Sequence, residues 1–139
     1  VWLCGGIGID MGSDTNCTVT SNSIHDNGSD GVSISGNTQN CCITGNSIFN
    51  NSGNGVNLGG NAAGNNTITG NAIQNNTLDG ITIRSDDNVV TGNRINDNDT
   101  GVLIQNTATR TILSINNLTG NSTSYTDNGS ASSILGNVV

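Results

Sequence analysis

The stretch Thr67-Ile68-Thr69-Gly70-Asn71-Ala72-Ile73-Gln74-Asn75-Asn76, completed by Asp79-Gly80-Ile81-Thr82-Ile83, decides how this chain folds. It reads as an apolar residue, a Gly-Asn corner, a second apolar residue, an Asn corner, and then Gly-Ile-x-Ile. The same phrase recurs on both sides of it. Val19, Ile43, Ile68 and Val90 open successive copies, and Asn22, Asn46, Asn71 and Asn93 turn the first corner. Ile24, Ile48, Ile73 and Ile95 follow, and Asn27, Asn51, Asn76 and Asn98 turn the second. Gly31, Gly55, Gly80 and Gly101 then lead into Val32/Ile34, Val56/Leu58, Ile81/Ile83 and Val102/Ile104. The first-corner Asn residues stand 24, 25 and 22 positions apart, whereas the step from first to second Asn is always five. A fixed inner spacing with a variable remainder implies fixed short strands and one elastic loop per turn. A repeat of this kind predicts a solenoid, each coil resting on its neighbours.

Composition agrees with that reading. Only 32% of the 139 residues are hydrophobic, 9% are charged and 2% aromatic, and there is no proline. A conventional two-layer core is hard to build from so little. A solenoid needs only four or five inward apolar side chains per coil, stacked on identical neighbours. Disorder is excluded by the fixed placement of the β-branched and Leu residues and by the low charge. The net charge of −7, with three Arg and no Lys, argues against nucleic acid, whose phosphates demand a basic stripe. No run of ~18 apolar residues is present, so no membrane-spanning helix is expected.

In chain order, Gly6-Ile7-Gly8-Ile9 matches Gly-Ile-x-Ile and reads as the end of a coil. Coils then begin near Asn16, Asn40, Asn65 and Asn88. Gly45, Gly70 and Gly92, with Ser21 in the first copy, precede the first-corner Asn, where a left-handed backbone is expected. The Asn side chains that follow are expected to stack as ladders and satisfy the corner backbone. Leu113, Asn116, Leu118 and Asn121 give a looser fifth coil, and 122–139 reads as an irregular C-terminal coil. The whole is expected to be one β-helix segment of a longer chain, 5–6 coils of 22–25 residues, with flanking coils or self-association at the open ends. Cys17 and Cys41 hold the same repeat position. Stacked strands ~4.8 Å apart lie within disulfide reach, so a Cys17–Cys41 bridge and an oxidising compartment are expected.

The motif I/V-T-G-N-x-I-x-x-N with G-I-x-I, at Ile43 to Leu58 and Ile68 to Ile83, resembles the right-handed parallel β-helix repeat family. The resemblance runs from Gly6 to about Asn121. It implies an all-β solenoid with three short strands per coil. Members of the fold include pectate lyases, polygalacturonases, alginate epimerases, periplasmic carbohydrate-binding proteins and adhesins, so the resemblance implies a saccharide partner.

Function in such a fold lies on outward columns formed by adjacent coils. Arg84 with Asp79, Asp86 and Asp87 is the one concentration of charge, and is the candidate site if the chain is an enzyme. A basic residue beside carboxylates fits proton abstraction next to a sugar carboxylate, and close Asp residues fit glycoside hydrolysis. Asp86 and Asp87 are also the candidate oxygen ligands for Ca²⁺; no other cofactor is expected. No catalytic ladder of Glu, Lys or paired Asp is visible. His25 with Asp26 reads as an outward surface pair, and Trp2 and Tyr125, at opposite ends, make no sugar platform. Thr18, Thr20, Thr44, Thr67, Thr69, Thr91 and Thr111 flank the first apolar residue and form an outward array, which resembles the ice-binding face of solenoid antifreeze proteins. The residues favour an extracellular or cell-surface structural or adhesive module that touches carbohydrate without turnover. The alternative is a fragment of a polysaccharide lyase, epimerase or hydrolase. Ice binding through the Thr array is a second alternative.

Overall fold

A computed structural model describes residues 1–60 and 64–139. The chain winds as a right-handed β-solenoid of about five coils with three short strands per coil, and every strand pairing is parallel. The first sheet stacks six strands: Thr18–Thr20, Cys42–Thr44, Thr67–Thr69, Val89–Thr91, Ile112–Ser114 and Ser133–Leu135. The second stacks four, Ser23–His25, Ser47–Phe49, Ala72–Gln74 and Arg94–Asn96. The third stacks Ile9–Gly12, Val32–Ser35, Val56–Leu58, Ile81–Ile83, Thr100–Ile104 and Thr123–Asp127.

The apolar phrase becomes the core directly. Three-residue strands bury their middle side chain: Ile43, Ile68, Val90 and Leu113 stack in the first sheet and Ile24, Ile48, Ile73 and Ile95 in the second. The third sheet contributes two inward residues per coil, such as Ile81 and Ile83. Each fully buried aliphatic side chain contributes about 1.5–3 kcal/mol. An aliphatic residue on the same rung of each coil keeps the packing uniform.

The corners are held by side-chain amides. The Asn46 N–H donates to Asn71 Oδ1 at 2.9 Å, Asn46 Nδ2 donates to the same atom at 3.0 Å, and Asn71 repeats both bonds with Asn93. The ladder runs on through Asn116 to Asn137. A second ladder climbs from Asn27 through Asn51, Asn76 and Asn98 to Asn121. Gly45, Gly70 and Gly92 sit at φ 65°, 64° and 65°, the left-handed corner expected of them, and Ser21 takes φ 58° in the first copy. A third polar column was not anticipated. The Asn66 N–H donates to Asn88 Oδ1, the Cys41 N–H to Asn66 Oδ1, and the Cys17 N–H to Cys41 Sγ at 3.2 Å.

That last contact corrects the disulfide expectation. Cys17 and Cys41 are stacked neighbours but free thiols. Cys41 Sγ continues the amide column by accepting the Cys17 N–H, while Cys17 Sγ lies 3.7 Å from the Thr15 carbonyl and Cys41 Sγ 3.4 Å from the Gln39 carbonyl.

The first coil also differs from expectation. Ile9 pairs with Val32 and Met11 with Ile34, so the copy is Gly8-Ile9-Asp10-Met11, two residues later than Gly6-Ile7-Gly8-Ile9. The cause is a column of glycines that has no room for a side chain. A Cβ on Gly80 would lie 2.4 Å from Ile95 Cγ2 and 2.6 Å from the Gly101 carbonyl oxygen. Gly31 and Gly55 meet the equivalent atoms, and at Gly8 a Cβ would lie 2.7 Å from Asn27 Nδ2 and 2.7 Å from the Gly31 oxygen. Gly6 has nothing within 4 Å and is not under that constraint. At the other end, 122–139 keeps winding despite its weak periodicity. Thr123–Asp127 joins the third sheet, with Tyr125 opposite Val102 but exposed.

Candidate functional site

Three outward columns stand on the third sheet. Asp30, Asn54, Asp79 and Thr100 precede the glycines, and they are aligned by bonds from the Gly31, Gly55 and Gly80 N–H groups to the Asn54, Asp79 and Thr100 carbonyls. Asp10, Ser33, Asn57, Thr82 and Leu103 occupy the middle of the strands. Ser35, Gly59, Arg84 and Gln105 follow the second inward residue. Sheet register therefore places side chains separated by one winding in direct contact.

A continuous hydrogen-bonded network occupies the central part of this face. Asp30 Oδ1 accepts from the Asn54 N–H at 2.7 Å and from Asn54 Nδ2 at 3.0 Å. Its other oxygen accepts from Asn57 Nδ2 at 2.8 Å. Asn57 Oδ1 in turn accepts from Arg84 Nη1 at 2.7 Å. On the other side, Asn54 Oδ1 accepts from the Asp79 N–H at 3.2 Å, and the Thr82 hydroxyl donates to Asp79 Oδ2 at 2.7 Å. Asp30, only 8% exposed, and Thr82, fully buried, form its base; Asp79, Asn57 and Arg84 are half-buried at its surface.

The four charged residues proposed from sequence thus separate into two groups. Arg84 and Asp79 belong to the network but do not bond each other; they are linked through Asn57, Asp30 and Asn54. Asp86 and Asp87 lie on the next corner and are paired with Arg110. Arg110 donates from Nε to Asp87 Oδ1 at 2.6 Å and from Nη2 to Asp87 Oδ2 at 2.7 Å, with Asp86 Oδ2 at 3.8 Å. The Asp86 carboxylate also accepts the Thr109 N–H at 2.8 Å. The hydrogen bond from Arg110, more than its charge, holds the Asp87 carboxyl below its ordinary range, and Asp87 raises Arg110 in return. Among the described residues no three His, Cys, Asp or Glu side chains converge as a metal site.

Two other faces complete the surface. On the second sheet, Trp2, His25 and Phe49 form a column of stacked rings, with centroids 6.3 Å and 4.6 Å apart. His25 Nδ1 also meets Asp26 Oδ2 at 2.8 Å. Counting one winding back from His25 reaches Trp2, so this stack had a sequence signal. On the first sheet Thr20, Thr44, Thr69 and Thr91 align on consecutive coils, while Cys42, Val89 and Ile112 interrupt the parallel row that runs from Thr18 through Thr67 to Ser133.

The family described as right-handed beta helix region matches residues 1–139. The chain belongs to that family. No curated protein matches it in sequence. Among solved structures it is similar to the A-module of the Azotobacter vinelandii mannuronan C-5 epimerase AlgE6, with a TM-score of 0.81 and 20% identity over 92% of this chain and 35% of that one. It is also similar to a substituted form of the periplasmic alginate epimerase AlgG, with a TM-score of 0.83 and 19% identity over 96% of this chain and 42% of that one. A second substituted AlgG gives a TM-score of 0.78 and 18% identity, covering 99% and 44%. The chain therefore spans about two-fifths of the length of these epimerases, and at such identities the likeness is one of fold.

Proposed function

We propose that this solenoid is the saccharide-handling part of an enzyme that acts on an acidic polysaccharide, and that the outer face of the third sheet receives the polymer. This prefers the enzymatic alternative over a purely structural or adhesive module. The observation that carries it is Arg84: a half-buried cation on a polar strand face, aimed by an amide and not paired with a carboxylate. Of the other two cations, Arg110 is taken by Asp87, and Arg94 projects from the second sheet. A guanidinium bonded to a neutral acceptor keeps most of its N–H groups available, and a carboxylate is the ligand that fits its fork geometry. The similarity to proteins named as alginate and mannuronan epimerases supports the same substrate class, and the periplasmic AlgG supports a location in the envelope or outside the cell.

Epimerisation or lyase cleavage of a uronate begins with removal of the proton next to its carboxylate. A cation on that carboxylate stabilises the charge that develops there, which is the role for Arg84. Asp79 Oδ1, which accepts no hydrogen bond from any described residue, is the acceptor for the sugar side of the site and the candidate base. Hydrolysis is less well supported: Asp30 and Asp79 stand two coils apart, ~9.6 Å by strand spacing, but both Asp30 oxygens face N–H donors inside the network.

The test is to incubate the protein with mannuronan, polygalacturonate and a neutral glucan in deuterated water. Proton abstraction appears in the polymer NMR spectrum either as deuterium at the ring carbon beside the carboxylate, when that carbon is reprotonated, or as new unsaturated ends, when the leaving oxygen is expelled. Incorporation into, or unsaturation of, an acidic polymer that is lost in Arg84→Ala is expected. Absence of binding, incorporation and unsaturated ends with every acidic polymer would overturn the proposal.

A further inference from the structure

We infer that Asn57 is a positioning residue, held by Asp30, that fixes the direction in which Arg84 presents its guanidinium to a saccharide carboxylate; this rests on the reading of Arg84 given above. Asp30 is a carboxylate and Arg84 a guanidinium, so the first can only accept and the second can only donate. The side chain between them must offer a donor on one side and an acceptor on the other. Asn57 does so, with Nδ2 at 2.8 Å from Asp30 Oδ2 and Oδ1 at 2.7 Å from Arg84 Nη1. The orientation of its amide is dictated by those partners. Asp at this position would set a second carboxylate against Asp30 and would neutralise Arg84, while Ser is too short to span both.

The relay is anchored to the backbone. Asp30 is fixed by the main-chain N–H of Asn54 as well as by its side chain, so a rigid chain of contacts extends from one coil through the next to Arg84 on the third. Sheet stacking alone does not orient Arg84: its own column holds Gly59 and Ser35 on the preceding coils, and neither offers it a side-chain partner. Arg84 instead crosses to the middle column. Without the amide, a side chain with four rotatable bonds must be ordered by the ligand, at an entropic cost borne by binding.

Asn57→Ser is a conservative test, because Ser33 already holds the same column one coil earlier and the strand accepts it. Binding of an acidic oligosaccharide, an oligomannuronate with an oligoglucan control, is measured by titration calorimetry for wild type, Asn57→Ser, Arg84→Ala and the double variant, with thermal melts alongside. The expected result is a loss of about tenfold in Asn57→Ser, with a melt lowered only by the donor that Asp30 Oδ2 gives up, and no further loss of binding on adding Asn57→Ser to Arg84→Ala. Asn57→Asp serves as the second variant: it is expected to lose binding as fully as Arg84→Ala, since the new carboxylate occupies the guanidinium. Wild-type affinity in Asn57→Ser, or additive losses in the double variant, would overturn the positioning role while Arg84 remained the ligand. Failure of wild type and all variants to bind the acidic oligosaccharide would sink the functional reading itself.

Discussion

Truncating Asn71 tests whether the amide ladders carry the fold. Its Oδ1 accepts the Asn46 N–H and Asn46 Nδ2, and its Nδ2 donates to the Ile43 carbonyl, the Thr69 carbonyl and Asn93 Oδ1. In Asn71→Ala the buried Asn46 N–H is left without an acceptor, which costs about 1–3 kcal/mol. Asn46 Nδ2 keeps its bonds to the Val19 and Thr44 carbonyls, so it contributes little. The bonds given up at Ile43, Thr69 and Asn93 add about 0.5–1.5 kcal/mol each. A total of about 2.5–7.5 kcal/mol follows, against a whole-domain stability of about 5–15 kcal/mol. Asn22→Ala is the matched control: Asn22 ends the ladder, its Oδ1 accepts nothing described, and its Nδ2 bonds only Thr20 and Asn46. About 1 kcal/mol or less is expected there. Urea unfolding gives both values, and amide exchange at Asn46 should accelerate in Asn71→Ala. Equal costs for the two variants, or an unchanged Asn46 amide, would refute the ladder argument.

Gly80→Ala is expected to cost about 1–3 kcal/mol or more by overpacking against Ile95 and the Gly101 carbonyl, whereas Gly12→Ala, with only Ser35 Oγ at 3.5 Å, should stay within about 0.5 kcal/mol in the same unfolding assay. Arg110 holds the Asp87 carboxyl low, so its stabilising share is present above the ordinary carboxylate range, ~3.9, and is lost as pH falls through the lower folded value. A carbon-13 NMR titration should show the Asp87 midpoint moving up in Arg110→Gln; an unmoved midpoint would remove Arg110 as the cause. Burial, with Cys41 beside it, pushes the Cys17 thiol up. Iodoacetamide near neutral pH should therefore modify exposed Cys4 first, Cys17 more slowly and Cys41, 2% exposed, last, with masses showing all four thiols free; a protected Cys17–Cys41 pair would contradict that assignment.

The fold was legible because its code is repetitive. Each apolar residue of the phrase is an inward rung, and each repeated Asn is a ladder position, so spacing alone specified sheets and corners. The errors arose where a pattern had two equivalent readings. Gly6-Ile7-Gly8-Ile9 and Gly8-Ile9-Asp10-Met11 both look like Gly-Ile-x-Ile, and only the absence of side-chain space at Gly8 selects the second. Cys17 and Cys41 were correctly aligned, but a shared rung does not by itself make a bond between two sulfurs.

The site was less legible because a solenoid redefines which residues are neighbours. Arg84 and Asp86 are close in sequence, yet the side chains that partner them, Asn57 and Arg110, lie about one winding away. Subtracting a period explains Arg110 at once: 23 positions back lies Asp87, its salt-bridge partner. The same subtraction from Arg84 arrives near Gly59, which offers nothing. Its partner, Asn57, is 27 positions back, in the adjacent column, reached only because the arginine side chain is long. Column alignment therefore predicts pairs between like positions, while diagonal contacts need the actual reach of the side chains. The unpaired guanidinium is such a diagonal case: a chain carrying net charge −7 keeps one cation out of a carboxylate pair on this face by giving it an amide acceptor instead. That choice leaves the positive charge available to an acidic ligand.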